Sequence, residues 1–214
     1  MTASPGSPRR NRVSPFGDIE ATPARGLLMG NRGILHDDKG ELGRARWRSR
    51  AWISCVLAYK GARRAIMSPG SYTELFFCDE AVAMAAGHRP CALCRRADFE
   101  RFRAGWARGP GEGRAERAST IDARLHASRL DAARRPARFP ARLGDLPDGA
   151  MATRAGDPGV AWLVRQGGVR RWSHDGYGPR EDADPGETVT VLTPRLLVEV
   201  LRAGYTPLLH PSAG

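Results

Sequence analysis

Apolar and polar positions along the chain alternate in short runs, and the period changes several times. Residues 52–59, Trp-Ile-Ser-Cys-Val-Leu-Ala-Tyr, form the first strongly apolar run and predict a central strand. Residues 60–63 read as a turn and 65–67 as the start of a return strand, which Ser68-Pro-Gly-Ser71 breaks; 72–77 reads as another strand. The pattern then turns helical: Asp79 is an N-cap for a helix over 80–86, and Gly87 supplies its left-handed stop. Pro90 suits the first turn of a second helix carrying Cys91, Cys94, Phe99, Phe102 and Trp106. Residues 121–130 predict a third. Farther on, 161–164 and 169–172 flank Gln166-Gly167-Gly168, a hairpin signal, and 188–192 alternate as a strand. Thr193 as cap and Pro194 as opener start a last helix running to Ala203, which Gly204 ends.

This succession predicts an α+β fold: a small α/β lobe, a helical linker, then a small C-terminal α+β lobe; the cysteines of the first lobe, taken up below, make it the expected zinc-binding lobe. The boundaries expected are a flexible basic arm over 1–24, the metal-binding lobe over 25–107, a linker with a helix over 108–147, and the C-terminal lobe over 148–214. The arm follows from a Pro-, Ser- and Arg-rich stretch with few apolar groups. The linker follows from Gly, Arg and Glu over 108–118 and from the Pro-rich, irregular stretch 134–149.

Composition sets outer limits. The 214 residues are 41% hydrophobic and 27% charged, an ordinary folding mixture. No apolar run is long enough to span a bilayer, and the first residues lack the apolar core of a secretory signal, so the expected location is the cytoplasm, with no membrane partner. Four cysteines are too few for a disulfide scaffold.

Charge adds a direction. The formal net charge is +11, and its distribution is uneven: residues 1–64 hold 13 basic and 5 acidic side chains, residues 65–214 hold 21 and 18. No acid occurs from Leu42 to Thr73, yet Arg44, Arg46, Arg48, Arg50, Lys60, Arg63 and Arg64 do. The first four alternate with Ala45, Trp47 and Ser49, so in an extended strand all four guanidiniums line one side. Such a row repels itself unless a polyanion neutralises it, which points to nucleic acid. A solvated, charge-protected edge strand has the same pattern.

Cys91-Ala-Leu-Cys94 carries the most direct chemistry. At a helix start the two residues share a face, and free N–H groups favour thiolates. Two thiolates make half of a tetrahedral zinc site. A redox dithiol has the same spacing but belongs after a strand in a βαβ unit, whereas Gly87-His-Arg-Pro90 precedes the pair here. Two unconnected buried cysteines are the third reading.

The stretch Phe76-Phe-Cys-Asp-Glu-Ala-Val-Ala-Met-Ala-Ala-Gly-His-Arg-Pro-Cys-Ala-Leu-Cys-Arg-Arg96 resembles the second half of the zinc-binding domain of the Ada DNA-repair family. The resemblance implies zinc as cofactor, DNA more than RNA as partner, and Cys91 and Cys94 as ligands. That family's upstream Cys-x-x-x-Cys pair, one member of which accepts a methyl group from a DNA phosphotriester, is absent here, so no methyl-acceptor role is carried over. Cys55, the only cysteine upstream on a predicted strand, stands as third ligand. His36, His88, Cys78 or water remain for the fourth position, and His36 joins the candidate set. The neighbours of Cys78 suit a small buried hydrophobe. The chain as a whole also resembles a family of uncharacterised bacterial proteins that carry Met-Gly-Asn-Arg-Gly-Ile-Leu-His, Tyr-Thr-Glu-Leu-Phe-Phe and Gly-His-Arg-Pro-Cys.

Other candidates carry less. Gly26-Leu-Leu-Met-Gly-Asn-Arg-Gly33 lacks the ending of a phosphate loop, although Asn31 and Arg32 can donate to a phosphate. Trp172 and Tyr177 offer stacking surfaces on a hairpin expected to be exposed. Two functions follow from different classes. One is a zinc-stabilised nucleic-acid-binding protein with weak sequence preference, whose contacts are Arg44, Arg46, Arg48, Arg50, Lys60, Arg63, Arg64, Arg95 and Arg96. The other is a metal-dependent enzyme acting on nucleic acid, with a centre near His36 and Asp37.

Overall fold

The short alternating runs build two six-stranded sheets and four α-helices in a computed structural model that describes residues 8–61 and 65–214. The first sheet contains β1 (Arg10–Val13), β2 (Ile19–Ala21), β3 (Leu28–Asn31), β4 (Ile53–Cys55), β5 (Leu75–Phe77) and β6 (Arg89–Pro90). Their order is β2-β1-β5-β3-β4-β6, with β1/β5 and β4/β6 parallel and the other pairs antiparallel. Between β5 and β6 runs α1 (Glu80–Ala85); α2 (Arg96–Arg108) and α3 (Ala118–Ser128) follow. The second sheet is antiparallel throughout and contains β7 (Phe139–Arg142), β8 (Met151–Arg154), β9 (Asp157–Arg165), β10 (Gly168–Ser173), β11 (Gly176–Asp182) and β12 (Thr188–Val191), in the order β11-β10-β9-β8-β12-β7. A last helix, α4 (Arg195–Arg202), packs against α2 and α3.

Helix α1 is buried at every position and touches both β5 and β8. A helix apolar on nearly all sides has no solvent face to offer, so it becomes the layer between the sheets. Its ends match the sequence expectation. Asp79 accepts a hydrogen bond from the Val82 N–H at 3.0 Å, and Gly87 takes φ +85°. A Cβ at Gly87 would also stand 2.9 Å from Arg129 Cδ, so glycine is required there twice over. The 166–167 hairpin turn forms as expected, with Gln166 at φ 52° and Gly167 at φ 70°.

Several expectations are corrected. The arm read over 1–24 contains β1 and β2, and Val13 is fully buried; only residues 1–7 of it lie outside the described residues. The linker read over 108–147 is part of the core, because α3 buries Ile121 and Leu125 and β7 pairs with β12. The two lobes share their interior as well. One apolar cluster joins Val13, Leu28 and Phe77 to Met151, Leu163 and Leu192, and another joins Phe102 and Trp106 to Trp162 and Val198. Pro90 ends β6 instead of opening α2; having no N–H, it fits the edge position that β6 occupies. Residues 65–67 form a turn, and Thr193, instead of capping α4, accepts the Met151 N–H at 2.9 Å. No helix among the described residues is long and apolar enough to cross a membrane.

Candidate metal centre and arginine groove

Parallel pairing of β4 with β6 creates the cysteine cluster. Its register sets Ile53 beside Arg89 and Ser54 beside Pro90, and the next step brings Cys55 level with Cys91. The Cys91 N–H donates to the Ser54 carbonyl at 2.8 Å, and the turn after it folds Cys94 back. The three sulfurs lie within 4.8 Å of one another. Tetrahedral zinc–thiolate geometry needs sulfurs roughly 3.8 Å apart, given Zn–S bonds of about 2.3 Å, so one mononuclear ion fits this set. Three cysteines close together can therefore hold a metal ion.

The electrostatics suit cation capture. The Cys91 sulfur accepts the Leu93 N–H at 3.4 Å and the S–H groups of its neighbours, which lower its pKa to about 5. Cys55 is pushed far up by its hydrogen bond to Cys91 and by burial, and Cys94 is raised by burial. One thiolate held by two thiols is a proton-filled version of a metal site; a bound ion replaces those protons. Among the described residues the cluster holds three cysteines and no carboxylate or histidine. Residues 1–7 and 62–64 include no cysteine, histidine or acid.

His36 does not join the cluster. Its Nδ1 meets Thr73 Oγ1 at 2.6 Å and its Nε2 meets the Ser68 carbonyl at 3.2 Å, so both ring nitrogens hold loops together. Asp37 accepts the N–H groups of Lys39 and Glu41, which is turn chemistry. Cys78 is buried elsewhere, its thiol pushed up to about 12 by desolvation. Tyr177 is also buried; its hydroxyl donates to Asp79 at 2.9 Å, which removes it as an exposed stacking surface.

Arg95, expected on a phosphate, is 4% exposed and braces the centre instead. It donates to both Glu80 oxygens at 2.9 Å, to Ser54 Oγ at 3.0 Å and to Asp98 at 2.8 Å. Glu80 in turn accepts the Tyr205 hydroxyl at 2.7 Å and the Leu208 N–H at 2.8 Å. This network ties β4, α1, α2 and the C-terminal segment to the residue that follows Cys94. Beside it, Arg89 makes a paired contact with both oxygens of Asp122 at 2.7 and 2.8 Å.

The arginine row over 44–50 is not a strand. The N–H groups of Arg48 and Ser49 both donate to the Arg32 carbonyl, at 2.7 and 2.9 Å, and a ladder cannot form with two successive donors on one acceptor. The alternation survives all the same. Arg44, Arg46, Arg48 and Arg50 are exposed, while Trp47 is half-buried against His126 with ring centroids 4.4 Å apart. Arg44, Arg46 and Arg48 line an open groove of about 1100 Å³, whose other wall carries Arg134, Arg135 and Arg138. Two carboxylates lie in it, each engaged: Asp18 with Arg46 at 2.7 Å and Asp131 with Arg135 at 3.2 Å. Lys60 and Arg96 are exposed outside the groove, Arg96 beside Glu100 at 3.2 Å; Arg63 and Arg64 lie outside the described residues.

The second wall is not among the expected contacts. Its signal is in the sequence: from Ala132 to Gly144 there is no acid, and Arg134, Arg135, Arg138 and Arg142 occur. The prolines in that stretch mark it as irregular and mask its charge. Comparison with protein-family models, with curated proteins and with solved structures gives no match, so the geometry alone speaks for the site.

Proposed function

We propose that the chain is a zinc-stabilised nucleic-acid-binding protein. The observation that carries this reading is the groove: two acid-poor segments, distant in sequence, line one open channel with six arginines, two of which, Arg46 and Arg135, pair with the acids among its described lining, Asp18 and Asp131. A strand of phosphates would neutralise those guanidiniums and release counterions. Contacts of this kind position a duplex or strand without reading its bases, hence weak sequence preference. The Ada-type resemblance of residues 76–96 favours DNA over RNA.

Zinc is the ion proposed for Cys55, Cys91 and Cys94, because an all-thiolate set selects a soft cation of tetrahedral habit. Bound there, it would staple β4 to the turn before α2. Three thiolates more than neutralise a divalent ion, which weakens its pull on a bound water and favours a structural role over hydrolysis.

The test is fluorescence anisotropy with a labelled DNA oligonucleotide over a range of salt concentrations. Arg46→Ala with Arg48→Ala is expected to weaken binding and lower the slope of log K against log[salt] by about one for each phosphate no longer neutralised. An unchanged slope would remove the groove from the reading. An RNA oligonucleotide of the same sequence, bound more tightly, would reverse the DNA preference.

A further inference from the structure

Two arginines below the groove are more unusual than those lining it. Arg32 and Arg129 are each 2% exposed, and their guanidinium carbons lie 4.4 and 3.9 Å from the centre of the Trp52 ring. Arg32 donates to the carbonyls of Gly17 at 3.1 Å and Ala86 at 3.5 Å, and to His88 Nε2 at 3.3 Å. Arg129 donates to the carbonyls of Gly87 at 3.0 Å and Arg50 at 2.6 Å, and to His126 Nδ1 at 2.9 Å. Every one of these acceptors is neutral. The Nε of Arg129 is buried with no partner among the described residues.

Among the described residues no carboxylate hydrogen-bonds to either; Asp18 and Asp122 offset their charge only in part and from a distance. Asp18 is engaged by Arg46 and Asp122 by Arg89. Burial and the neighbouring guanidiniums lower both arginines to about 9, which leaves them cationic at neutral pH. Two buried charges of one sign without a directly paired carboxylate are unfavourable, and the usual remedy is a counter-ion.

The structure offers a place for one. A cavity of about 20 Å³ is lined by Arg32, Arg129, Trp52 and Trp47, with Arg46 and Arg134 beside them. Arg46, Trp47 and Arg134 also line the open groove, so the cavity is the groove's floor. That volume admits a single water-sized occupant. One oxygen of a larger anion fits, with its remaining oxygens left at the mouth.

We infer that this cavity is a phosphate-binding site, with one phosphate oxygen seated against Arg32 and Arg129 and the others held by Arg46 and Arg134. Four arginines line the cavity, and such a set calls for an anion with several oxygens, which a halide does not provide. The Arg46–Asp18 pair at the mouth is exposed and therefore weak, so it yields to a competing phosphate. A terminal phosphomonoester reaches a dead-end cavity more easily than an internal diester, which has sugar on both sides. The source of the phosphate, a strand end or free phosphate, is the only element that rests on the nucleic-acid reading.

The experiment uses the full chain. Thermal unfolding is followed in sodium phosphate and in sodium chloride at matched ionic strength and neutral pH. Phosphate is expected to raise Tm saturably by several degrees over chloride. Arg134→Gln and Arg46→Gln, both at exposed positions, are expected to fold normally and lose that shift. Equal Tm values in the two salts, or a phosphate shift unchanged in both variants, would overturn the site. In parallel, oligonucleotides with a 5′-phosphate, a 3′-phosphate or hydroxyl ends are compared by anisotropy. A terminal phosphate that tightens binding about tenfold, with the gain lost in Arg134→Gln, assigns the site to a strand end. A Tm shift without end preference supports the site with free phosphate as its source. A Tm shift with no oligonucleotide binding leaves the site standing and removes the nucleic-acid function.

Discussion

Two pairs of buried arginines sit within one half of this molecule and live under opposite conditions. Arg89 and Arg95 each face carboxylates that are themselves buried, with every strong donor matched. Arg32 and Arg129 face carbonyls, neutral histidines and the Trp52 ring. The side chains and the degree of burial are the same; the counter-charge differs. The first pair is complete within the fold and serves to hold it. The second pair has no hydrogen-bonded carboxylate among the described residues, and it lies next to a groove of exposed arginines, which is why a phosphate is proposed for it.

The largest expected effect comes from breaking the complete pair. Glu80→Gln leaves Arg95 with the half-buried Asp98 as its remaining carboxylate and also weakens the tie to Tyr205, so a loss of about 3 kcal/mol is expected in urea unfolding. A loss below about 1 kcal/mol would mean that the network is incidental. Next comes the centre that Arg95 supports. Cys91→Ser, or a chelator acting on the wild type, is expected to remove bound zinc and about 3 kcal/mol of stability when free metal stands about 100-fold above its Kd. Metal analysis alongside calorimetry checks this, and equal stability of apo and holo protein would refute a structural ion.

The comparison is sharpened by giving one substitution to both pairs. Arg89→Met strands Asp122 and is expected to cost about 3–5 kcal/mol. Arg32→Met in chloride is expected to cost only about 1–2 kcal/mol, since hydrogen bonds donated to neutral carbonyls are lost together with an unfavourable charge. Similar losses in denaturant titrations of the two variants would erase the distinction between the pairs.

The smallest effect is a pH dependence. His88 is wholly buried and neutral, its pKa held well below 6.5 by desolvation and by the charges of Arg32 and Arg129. Its Nε2 accepts from Arg32 and its Nδ1–H donates to the Ala83 carbonyl at 3.2 Å. With the folded value depressed, the unfolded chain binds the extra proton below about pH 6.5. Stability is therefore whole above that pH and falls as pH drops beneath it, with a slope of at most about 1.4 kcal/mol per pH unit. Unfolding measured from pH 7 to pH 5 checks this; His88→Gln should flatten that part of the profile.

Much of the local structure is legible in the sequence. Asp79 and Gly87 mark the ends of α1 because a cap and a left-handed stop act within one helical turn. The 166–167 turn is equally local. Cys91 and Cys94 follow from spacing alone, and Cys55 is expected as their third partner. The departures are non-local. The first 24 residues read as mobile because their few apolar side chains, Val13 among them, show their value only against β5. The arginines over 44–50 read as a strand because exposure does alternate there, but the carbonyl of Arg32 captures two successive N–H groups. Arg95 reads as a phosphate contact because nothing in its own neighbourhood announces Glu80, fifteen residues back, as its partner.

Period, capping and local charge, which act over a few residues, suffice for the α+β class, most helix and turn boundaries, the cysteine pair and the basic character of the groove's first wall. Packing in three dimensions settles which cations are balanced and which are not. It brings residues 132–138 opposite residues 44–48, assigns Glu80 and Asp122 to Arg95 and Arg89, and leaves Arg32 and Arg129 without a carboxylate. Counter-charge depends on distance in space, and in this chain the partners that matter are set by strand register and helix packing.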